Sequence, residues 1–298
     1  MTKRTVALAL FLTPVTLVGC GADATVAPKD GGLVGDSSNG DGGGNNDSGT
    51  AATKGGDVYV ASYAYTIANT SVAGMSASAG FDSAFGAATG NCTTTTDGAC
   101  TITSCTTGGS DAGSGAVPAS AGIIQITGGN KPVQLVPSGP TYTAVTGQTA
   151  LWGGGEQLDV SSAGAEVPAF DLKVIAPGYV TVTTPVWPAA GGKVPITRSQ
   201  AFALAWTGGG AGDVVVAITG TAGSQSTSLS CTFSASGGSG SVPASALAML
   251  PASPTSAAIS ITSSNVTEAV VSGWSLRVNA LTLGKSTSGV ASGGATIQ

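Results

Sequence analysis

The sequence predicts an all-β protein in which two tandem β-sandwich domains follow a disordered, Gly- and Asp-rich tether. Short runs of Val, Ile and Thr recur every 8–15 residues after residue 57, and Gly, Pro, Asn or Asp separates them. The apolar spacing of a helix is nearly absent from the same region. Short, regularly spaced strands with one buried face are typical of β-sandwiches.

The strands predicted on this basis fall into two groups. They cover residues 100–105, 122–127, 132–137, 141–146, 157–162, 170–176 and 179–184, and then 201–207, 213–220, 228–234, 257–263 and 273–284. A Pro- and Gly-rich joint at 185–195 separates the groups, which predicts a first domain at 58–185 and a second at 186–298. GGGAGD at 208–213 is predicted to be a hairpin loop. Residues 243–252 are predicted to hold a single helical turn, because Pro243 suits a first turn and Pro251 ends it.

The N-terminal residues have the pattern of a secretory signal. Lys3 and Arg4 precede an uncharged, largely apolar stretch from Val6 to Val18. This stretch is too short for a membrane-spanning helix, which needs roughly 17–25 residues. We therefore expect residues 1–19 to be a signal peptide.

The end of this signal, Leu17-Val18-Gly19-Cys20, resembles the lipobox of bacterial lipoproteins. The resemblance implies cleavage before Cys20, a diacylglycerol on the Cys20 thiol and acylation of the new amino terminus. Two or more acyl chains hold a protein stably at a membrane. Gly21 stands where Asp would mark retention at the inner membrane, so the resemblance favours the outer membrane and leaves its periplasmic or surface face open. The alternative is an ordinary signal peptide with a chance cysteine.

Residues 20–57 are predicted to be the tether between this anchor and the folded part. The segment is composed mainly of Gly, Asp, Asn and Ser and cannot bury enough apolar surface to offset chain entropy. As a Gly-rich coil it would reach roughly 30–35 Å. That length holds a folded domain clear of a lipid surface.

Composition excludes several kinds of partner. Only 8% of the chain is charged, against about 25% in an average soluble protein. Removing Lys3 and Arg4 with the signal leaves 8 basic and 15 acidic residues, a net charge of −7. The sequence contains no Lys/Arg cluster, and binding to nucleic acid or to anionic lipid headgroups depends on concentrated positive charge.

Four cysteines remain once Cys20 is assigned to the lipid: Cys92, Cys100, Cys105 and Cys231. An even number in an exported protein predicts disulfides. A four-residue loop at 97–100, built on Asp97-Gly98, would place Cys92 opposite Cys105 and favours that pair. Cys100 and Cys231 would then be free or paired across the two domains. The absence of histidine and the export signal argue against a zinc site.

Catalytic chemistry is mostly excluded because the chain contains no histidine. Ser-His-Asp, Cys-His and His-metal mechanisms therefore cannot be built from it. A paired-carboxylate hydrolase is a remote alternative, using Glu156, Asp159, Glu166 and Asp171. Charges that face solvent from strands and loops are the simpler interpretation of these four residues. We predict no catalytic residue, no metal and no cofactor.

The four tryptophans are the remaining candidates for a binding site. Trp206 and Trp274 lie within predicted strands and are expected in the core. Trp152 precedes three glycines and Trp187 lies in the joint, so both are candidates for exposed rings that stack on a glycan.

The stretch from Leu204 to Leu250 has a Trp strand, a Cys strand and a Val-Pro element. With the lipobox and tether, this pattern resembles β-sandwich surface lipoproteins of myxobacterial type, and it implies immunoglobulin- or fibronectin-like sandwiches but no activity. The leading hypothesis is a non-enzymatic envelope lipoprotein with a structural, adhesive or assembly role. It would be held to the membrane through Cys20, with another envelope protein or a glycan as its partner.

Overall fold

A computed structural model of the chain describes residues 54–67, 70–83, 91–106, 117–188, 192–252 and 254–298. The predicted signal peptide, Cys20 and nearly all of the tether lie outside the described residues. Strands dominate the described part. Its one α-helix, α1, spans Ala244–Ala248, where the sequence predicts a single helical turn. No described helix is long and apolar enough to cross a membrane.

The strands are numbered in chain order. The first twelve are β1 Lys54–Ile67, β2 Thr70–Asp82, β3 Asn91–Asp97, β4 Cys100–Thr106, β5 Ile124–Thr127, β6 Val133–Leu135, β7 Pro137–Ser138, β8 Thr141–Tyr142, β9 Val145–Gly147, β10 Gln157–Ser162, β11 Phe170–Ile175 and β12 Val180–Thr184. The others are β13 Val194–Ile196, β14 Phe202–Gly208, β15 Asp213–Ala222, β16 Gln225–Ser234, β17 Ser239–Val242, β18 Ser256–Val271, β19 Trp274–Leu283, β20 Lys285–Ser286, β21 Gly289–Val290 and β22 Ser292–Ile297.

One large sheet forms the base of the molecule. Its strand order is β3-β4-β16-β15-β18-β19-β1-β2-β9, and β22 joins it beside β18 and carries β13. Two smaller sheets cover it, β11-β10-β5-β6 and β17-β14-β12-β20-β21. The all-β, β-sandwich class predicted from the sequence is confirmed.

Both smaller sheets lie on the same face of the large sheet, which we call the inner face. Strand β18 shows this directly: Ile259 and Ile261 pack in one apolar cluster, whereas Ala269 and Val271 pack against the other. All four are odd-numbered residues, and alternate residues of a strand share a face. The opposite, outer face of the large sheet carries the even-numbered residues of β18.

The two apolar clusters divide the molecule into two halves. The first core joins β1, β2 and β19 to the sheet containing β5, β6, β10 and β11. The second core joins β4, β15, β16 and the start of β18 to β12, β14, β17 and α1. We call the regions built on these cores the first half and the second half.

Each core takes residues from both sides of the predicted boundary at 185/186. Cys100 and Ile102 belong to the second core, whereas Trp274 and Leu276 belong to the first. The chain passes between the two cores several times, and one of these crossings lies between Ala176 and Val180. The division of the chain into domains at 58–185 and 186–298 therefore stays a prediction. Neither core is built from only one of these two ranges.

Three local expectations need correction. β1 begins at Lys54, so residues 54–57 belong to a strand and not to the tether. β1 and β2 are absent from the predicted strands because Ala, Ser and Gly fill much of their sequence and dilute the alternation. Residues 208–213 do not form a hairpin loop, since β14 pairs with β12 and β17 while β15 pairs with β16 and β18. That segment instead carries the chain from the smaller sheet to the large one.

Candidate functional site

The four cysteines form two disulfides, Cys92–Cys105 and Cys100–Cys231. The first pair joins β3 to β4 across the hairpin that the sequence indicates, with Asp97 opposite Cys100 at its end. The second joins β4 to β16, one of the two arrangements left open for these cysteines. Both disulfides lie in the second half.

The disulfides lie on opposite faces of the large sheet. Cys100 and Cys105 are five residues apart in one strand, so their side chains point in opposite directions. Cys100 and Cys231 are buried in the second core with Ile102 and Leu229. Cys92 and Cys105 are on the outer face. The two crosslinks therefore hold both faces of the β3-β4-β16 region.

The prediction that Trp152 and Trp187 present exposed rings to a glycan is wrong. Trp152 is 1% exposed and Trp187 7% exposed. The Trp152 indole N–H donates to the Pro177 carbonyl at 3.2 Å, so both the ring and its polar group are satisfied inside the first core. Trp187 packs in the second core, and Trp206 and Trp274 are buried as expected. No tryptophan is left for stacking on a ligand.

Three of the four carboxylates proposed for a hydrolase have structural partners. Glu156 accepts hydrogen bonds from the backbone N–H groups of Gly153 and Gly154 at 2.7 and 2.6 Å. Partial burial opposes its ionisation, but these bonds together lower the pKa of Glu156. Asp159 forms a salt bridge with Lys173 at 3.1 Å, and Glu166 accepts from the Ser120 N–H at 3.3 Å.

The fourth carboxylate, Asp171, is exposed on β11 opposite Ser161. Within the described ranges, no group of three or more His, Cys, Asp or Glu side chains is placed to hold a metal ion. Glu156, Asp159 and Glu166 instead hold loops and strand pairs together.

A row of buried hydroxyl groups runs between the two cores on the inner face. Ser263, Thr282 and Ser62 lie side by side on β18, β19 and β1, and each is 0% exposed. Sequence reasoning did not identify this hydroxyl row. Its signal is a Ser or Thr at an inward position of each of three strands whose other inward residues are mostly apolar.

The segment from Ala176 to Val180, which crosses between the cores, lies over this row. The Ser62 hydroxyl accepts from the Leu151 N–H at 2.9 Å and contacts Tyr179 Oη at 2.8 Å. Tyr179 Oη donates to the Trp152 carbonyl at 3.1 Å, and Thr282 donates to the Gly178 carbonyl at 3.2 Å. Burial raises the pKa of Tyr179, so it stays a neutral donor.

Gly178 allows this close approach. A Cβ atom there would lie 2.7 Å from the Gly209 carbonyl oxygen, which a real side chain could not tolerate. The crossing segment is thus held on both sides, by the hydroxyl row and by the 208–213 link. The arrangement joins the two halves of the molecule.

The outer face of the large sheet lies opposite both apolar cores. Behind the second core it carries rows of hydroxyl side chains across β3, β4, β16 and β15. These residues, which we call the outer hydroxyl surface, are Thr94, Thr96, Thr101, Thr103, Ser228, Ser230, Thr232 and Thr219. One row runs from Thr94 through Thr103 and Ser228 to Thr219, with one residue on each strand. None of the eight residues is charged.

The outer face behind the first core is different, because it holds a charged network. Arg277 lies 4.0 Å from Asp57 and 3.6 Å from Glu268, and Asn279 donates to Asp57 at 3.0 Å. Burial raises the pKa of Asp57, although Arg277 and Asn279 act in the opposite direction. The large sheet thus presents an uncharged hydroxyl region and a charged region side by side.

No protein-family model matches the sequence, and no curated protein matches it. Two solved structures of bacterial adhesins are similar at a low level. One, described as giving structural insight into host cell surface retention of a 1.5-MDa bacterial ice-binding adhesin, is 16% identical, covers 82% of this chain and 86% of that chain, and has a TM-score of 0.17. The other, a Ca²⁺-stabilised adhesin that helps an Antarctic bacterium bind ice, is 15% identical, covers 83% of this chain and 66% of that chain, and has a TM-score of 0.18. At these scores neither similarity carries an argument about this chain.

Proposed function

We propose that this chain is a lipid-anchored protein of the bacterial cell envelope that acts without catalysis, as a structural, adhesive or assembly module. The outer hydroxyl surface carries this proposal. Its eight residues are uncharged, and two disulfides join three of the four strands that form it, β3, β4 and β16. Each Ser or Thr hydroxyl can both donate and accept a hydrogen bond, so this rigid surface can bind a polar partner.

The positions of the tryptophans and of the candidate carboxylates also support a role without catalysis. The tryptophans are buried, and Glu156, Asp159 and Glu166 bind to neighbouring backbone or side-chain groups. A hydrolase would need two carboxyl groups facing each other across a cleft about 5–10 Å wide. Three of the four candidate carboxylates instead bond to neighbouring groups of the fold.

Anchoring rests on the lipobox resemblance at Cys20, and it has a direct test. In bacteria that express the full chain, Cys20→Ser should abolish incorporation of radiolabelled palmitate and move the protein out of the membrane fraction. Ser37→Ala, in the same Gly-rich segment, should leave the label and the fractionation unchanged. A Cys20→Ser protein that keeps its label and its membrane location would refute the anchor.

The binding role of the outer hydroxyl surface is tested with the mature Cys20→Ser chain added to intact cells and to isolated envelope of the producing bacterium. Ser228→Lys with Thr232→Lys should weaken binding at least about tenfold, since buried charges at a contact are costly. Thr127→Lys is the matched control, because Thr127 is exposed on β5, on the far side of a smaller sheet. Equal binding by all three proteins would overturn the role of this surface.

A further inference from the structure

Strand β3 forms one edge of the large sheet, and its sequence has few of the features that protect such edges. Natural edge strands are usually very short, carry Lys or Pro, contain a bulge or are covered. β3 is seven residues long, reads NCTTTTD, and has a single charge at its last residue, Asp97. The side chains of Thr93, Thr94, Thr95 and Thr96 are all exposed.

Two other edges in the described part of the chain are protected. The strand at the opposite end of the large sheet, β9, has only three residues. At the edge strand β11, Asn265 and Thr267 donate side-chain hydrogen bonds to the carbonyls of Ile175 and Lys173, both at 2.8 Å. β11 also carries Asp171 and Lys173, and charged side chains oppose edge-to-edge pairing.

The open edge of β3 presents a defined set of backbone groups. The Cα atoms of the directly opposed Cys92 and Cys105 are 4.1 Å apart. This short spacing marks a non-hydrogen-bonded pair of an antiparallel ladder, in which the N–H and C=O groups point away from the partner strand. By alternation, the backbone groups of Cys92, Thr94 and Thr96 all point to the open edge.

These three residues are symmetric about Thr94. We propose that β3 is a self-association edge, at which two copies of this chain pair their β3 strands antiparallel around a two-fold axis at Thr94. Thr94 then faces Thr94 of the second copy, and Cys92 and Thr96 face each other in both directions. Each of these three pairs exchanges two N–H···O bonds, so all six outward backbone groups are satisfied.

The chemistry of the strand fits a second copy as the occupant. In this register Asp97 faces Asn91 and not the second copy's Asp97, so no like charges meet. The remaining facing pairs are uncharged: Thr94 with Thr94, Thr93 with Thr95, and the disulfide-bonded Cys92 with Thr96. Cross-strand Thr–Thr pairs stabilise sheets. The Cys92–Cys105 disulfide holds β3 in place before pairing, which lowers the entropy cost of association.

The helix α1 leaves the edge free and adds apolar surface beside it. Thr95 Oγ1 lies 3.6 Å from Met249 Sδ, and the Ser245 hydroxyl donates to Asp97, so the helix region contacts the inner face of β3 at its Asp97 end. Met249 itself is 44% exposed. A second β3 strand would lie next to this side chain and cover it.

The pairing surface is small, because one strand edge and one methionine bury less than a standard stable interface. Association of the soluble chain should therefore be weak and depend on concentration. Confinement to a membrane would raise the effective concentration and favour the pair. Only this last step rests on the anchoring proposed above.

The experiment uses the mature Cys20→Ser chain, so that neither lipid nor a free thiol drives association, and measures molar mass by sedimentation over a range of concentrations. We expect a reversible monomer–dimer equilibrium. Thr94→Lys and Thr94→Asp should each weaken self-association at least about tenfold, because each places two like charges face to face at the axis. Mixing the two variants in equal amounts should restore the dimer.

The matched control is Ser228→Lys, which adds the same charge in the same row of the outer face but two strands away from the edge. It should dimerise like the parent chain, although it is expected to impair envelope binding. A parent chain that stays monomeric at every concentration would overturn the proposal. So would Thr94→Lys dimerising like the parent, or a mixture no better than the single variants. Retention of both disulfides and of the parent circular dichroism spectrum establishes that each variant is folded.

Discussion

The two halves of the large sheet are stabilised by different means. The second half has both disulfides, one buried in its core and one on the outer face. The first half has no disulfide. It relies on a large aromatic and aliphatic core, on the bonds that Ser62 and Tyr179 make over it, and on the charged network around Arg277.

This difference in stabilisation matches a difference between the two parts of the outer face. Where the sheet carries a charged network, side chains such as Asp57, Arg277 and Asn279 link neighbouring strands. Where the outer face carries mainly Thr and Ser, the strands include the open edge β3, and Thr94 and Thr103 are linked by an exposed hydrogen bond of 3.2 Å. Covalent crosslinks stabilise that region without adding charge to its surface. Three sets of substitutions test the comparison, in order of expected effect.

The largest expected effect comes from removing the disulfides of the second half. Cys100→Ala with Cys231→Ala should lower the free energy of unfolding by about 4–5 kcal/mol, because this bond closes a loop between residues 131 positions apart. Cys92→Ala with Cys105→Ala, 13 positions apart, should cost about 3 kcal/mol. Denaturant unfolding of the mature Cys20→Ser chain measures both. A larger loss from the Cys92–Cys105 pair would contradict the dependence on loop length.

A smaller effect is expected at the hydroxyl row that joins the halves. Ser62→Ala should cost about 1–3 kcal/mol, because it leaves the buried N–H of Leu151 without its acceptor and removes one of the two hydrogen bonds of the Tyr179 hydroxyl. Ser263→Ala is the matched control. Ser263 is equally buried, yet its hydroxyl has no hydrogen-bond partner, so its removal should be neutral or stabilising. Equal losses in the two variants would show that the bonds to Ser62 contribute nothing.

The smallest effect is a pH dependence at the charged network of the first half. Burial raises the pKa of Asp57 above its ordinary value of 3.8, so the folded chain holds this proton more tightly than the unfolded chain. The free energy of unfolding should therefore fall as pH rises from below 3.8 through the raised pKa. Asp57→Asn should remove this decline, as followed by thermal unfolding between about pH 3 and 7.

Asp159 provides a control of opposite sign. Its hydrogen bond with Lys173 lowers the pKa of Asp159, so its contribution is present above the unfolded pKa and is lost as pH falls. Asp159→Asn should therefore remove a loss of stability at low pH. If both variants changed the pH profile in the same direction, burial would not be the dominant influence on Asp57.

Much of the local structure could be predicted from the sequence. The alternation in QLDVSS and FDLKVI was sufficient to place β10 and β11, and Asp97-Gly98 was sufficient to place the β3–β4 hairpin with Cys92 opposite Cys105. These features depend on neighbours in the chain. β1 and β2 were missed because their small residues pack well only against the partner strands that the fold supplies.

By itself, the sequence determined the β-sandwich class, through its short alternating strands, and the absence of histidine-based chemistry, because the chain contains no histidine. Only the tertiary structure decided which strands share a sheet, that β1 runs parallel to β19, and that Cys100 reaches Cys231. It also decided that Trp152 is buried and that β3 is left at an edge. Pattern and composition act over a few residues, whereas sheet order and burial depend on segments more than a hundred residues apart.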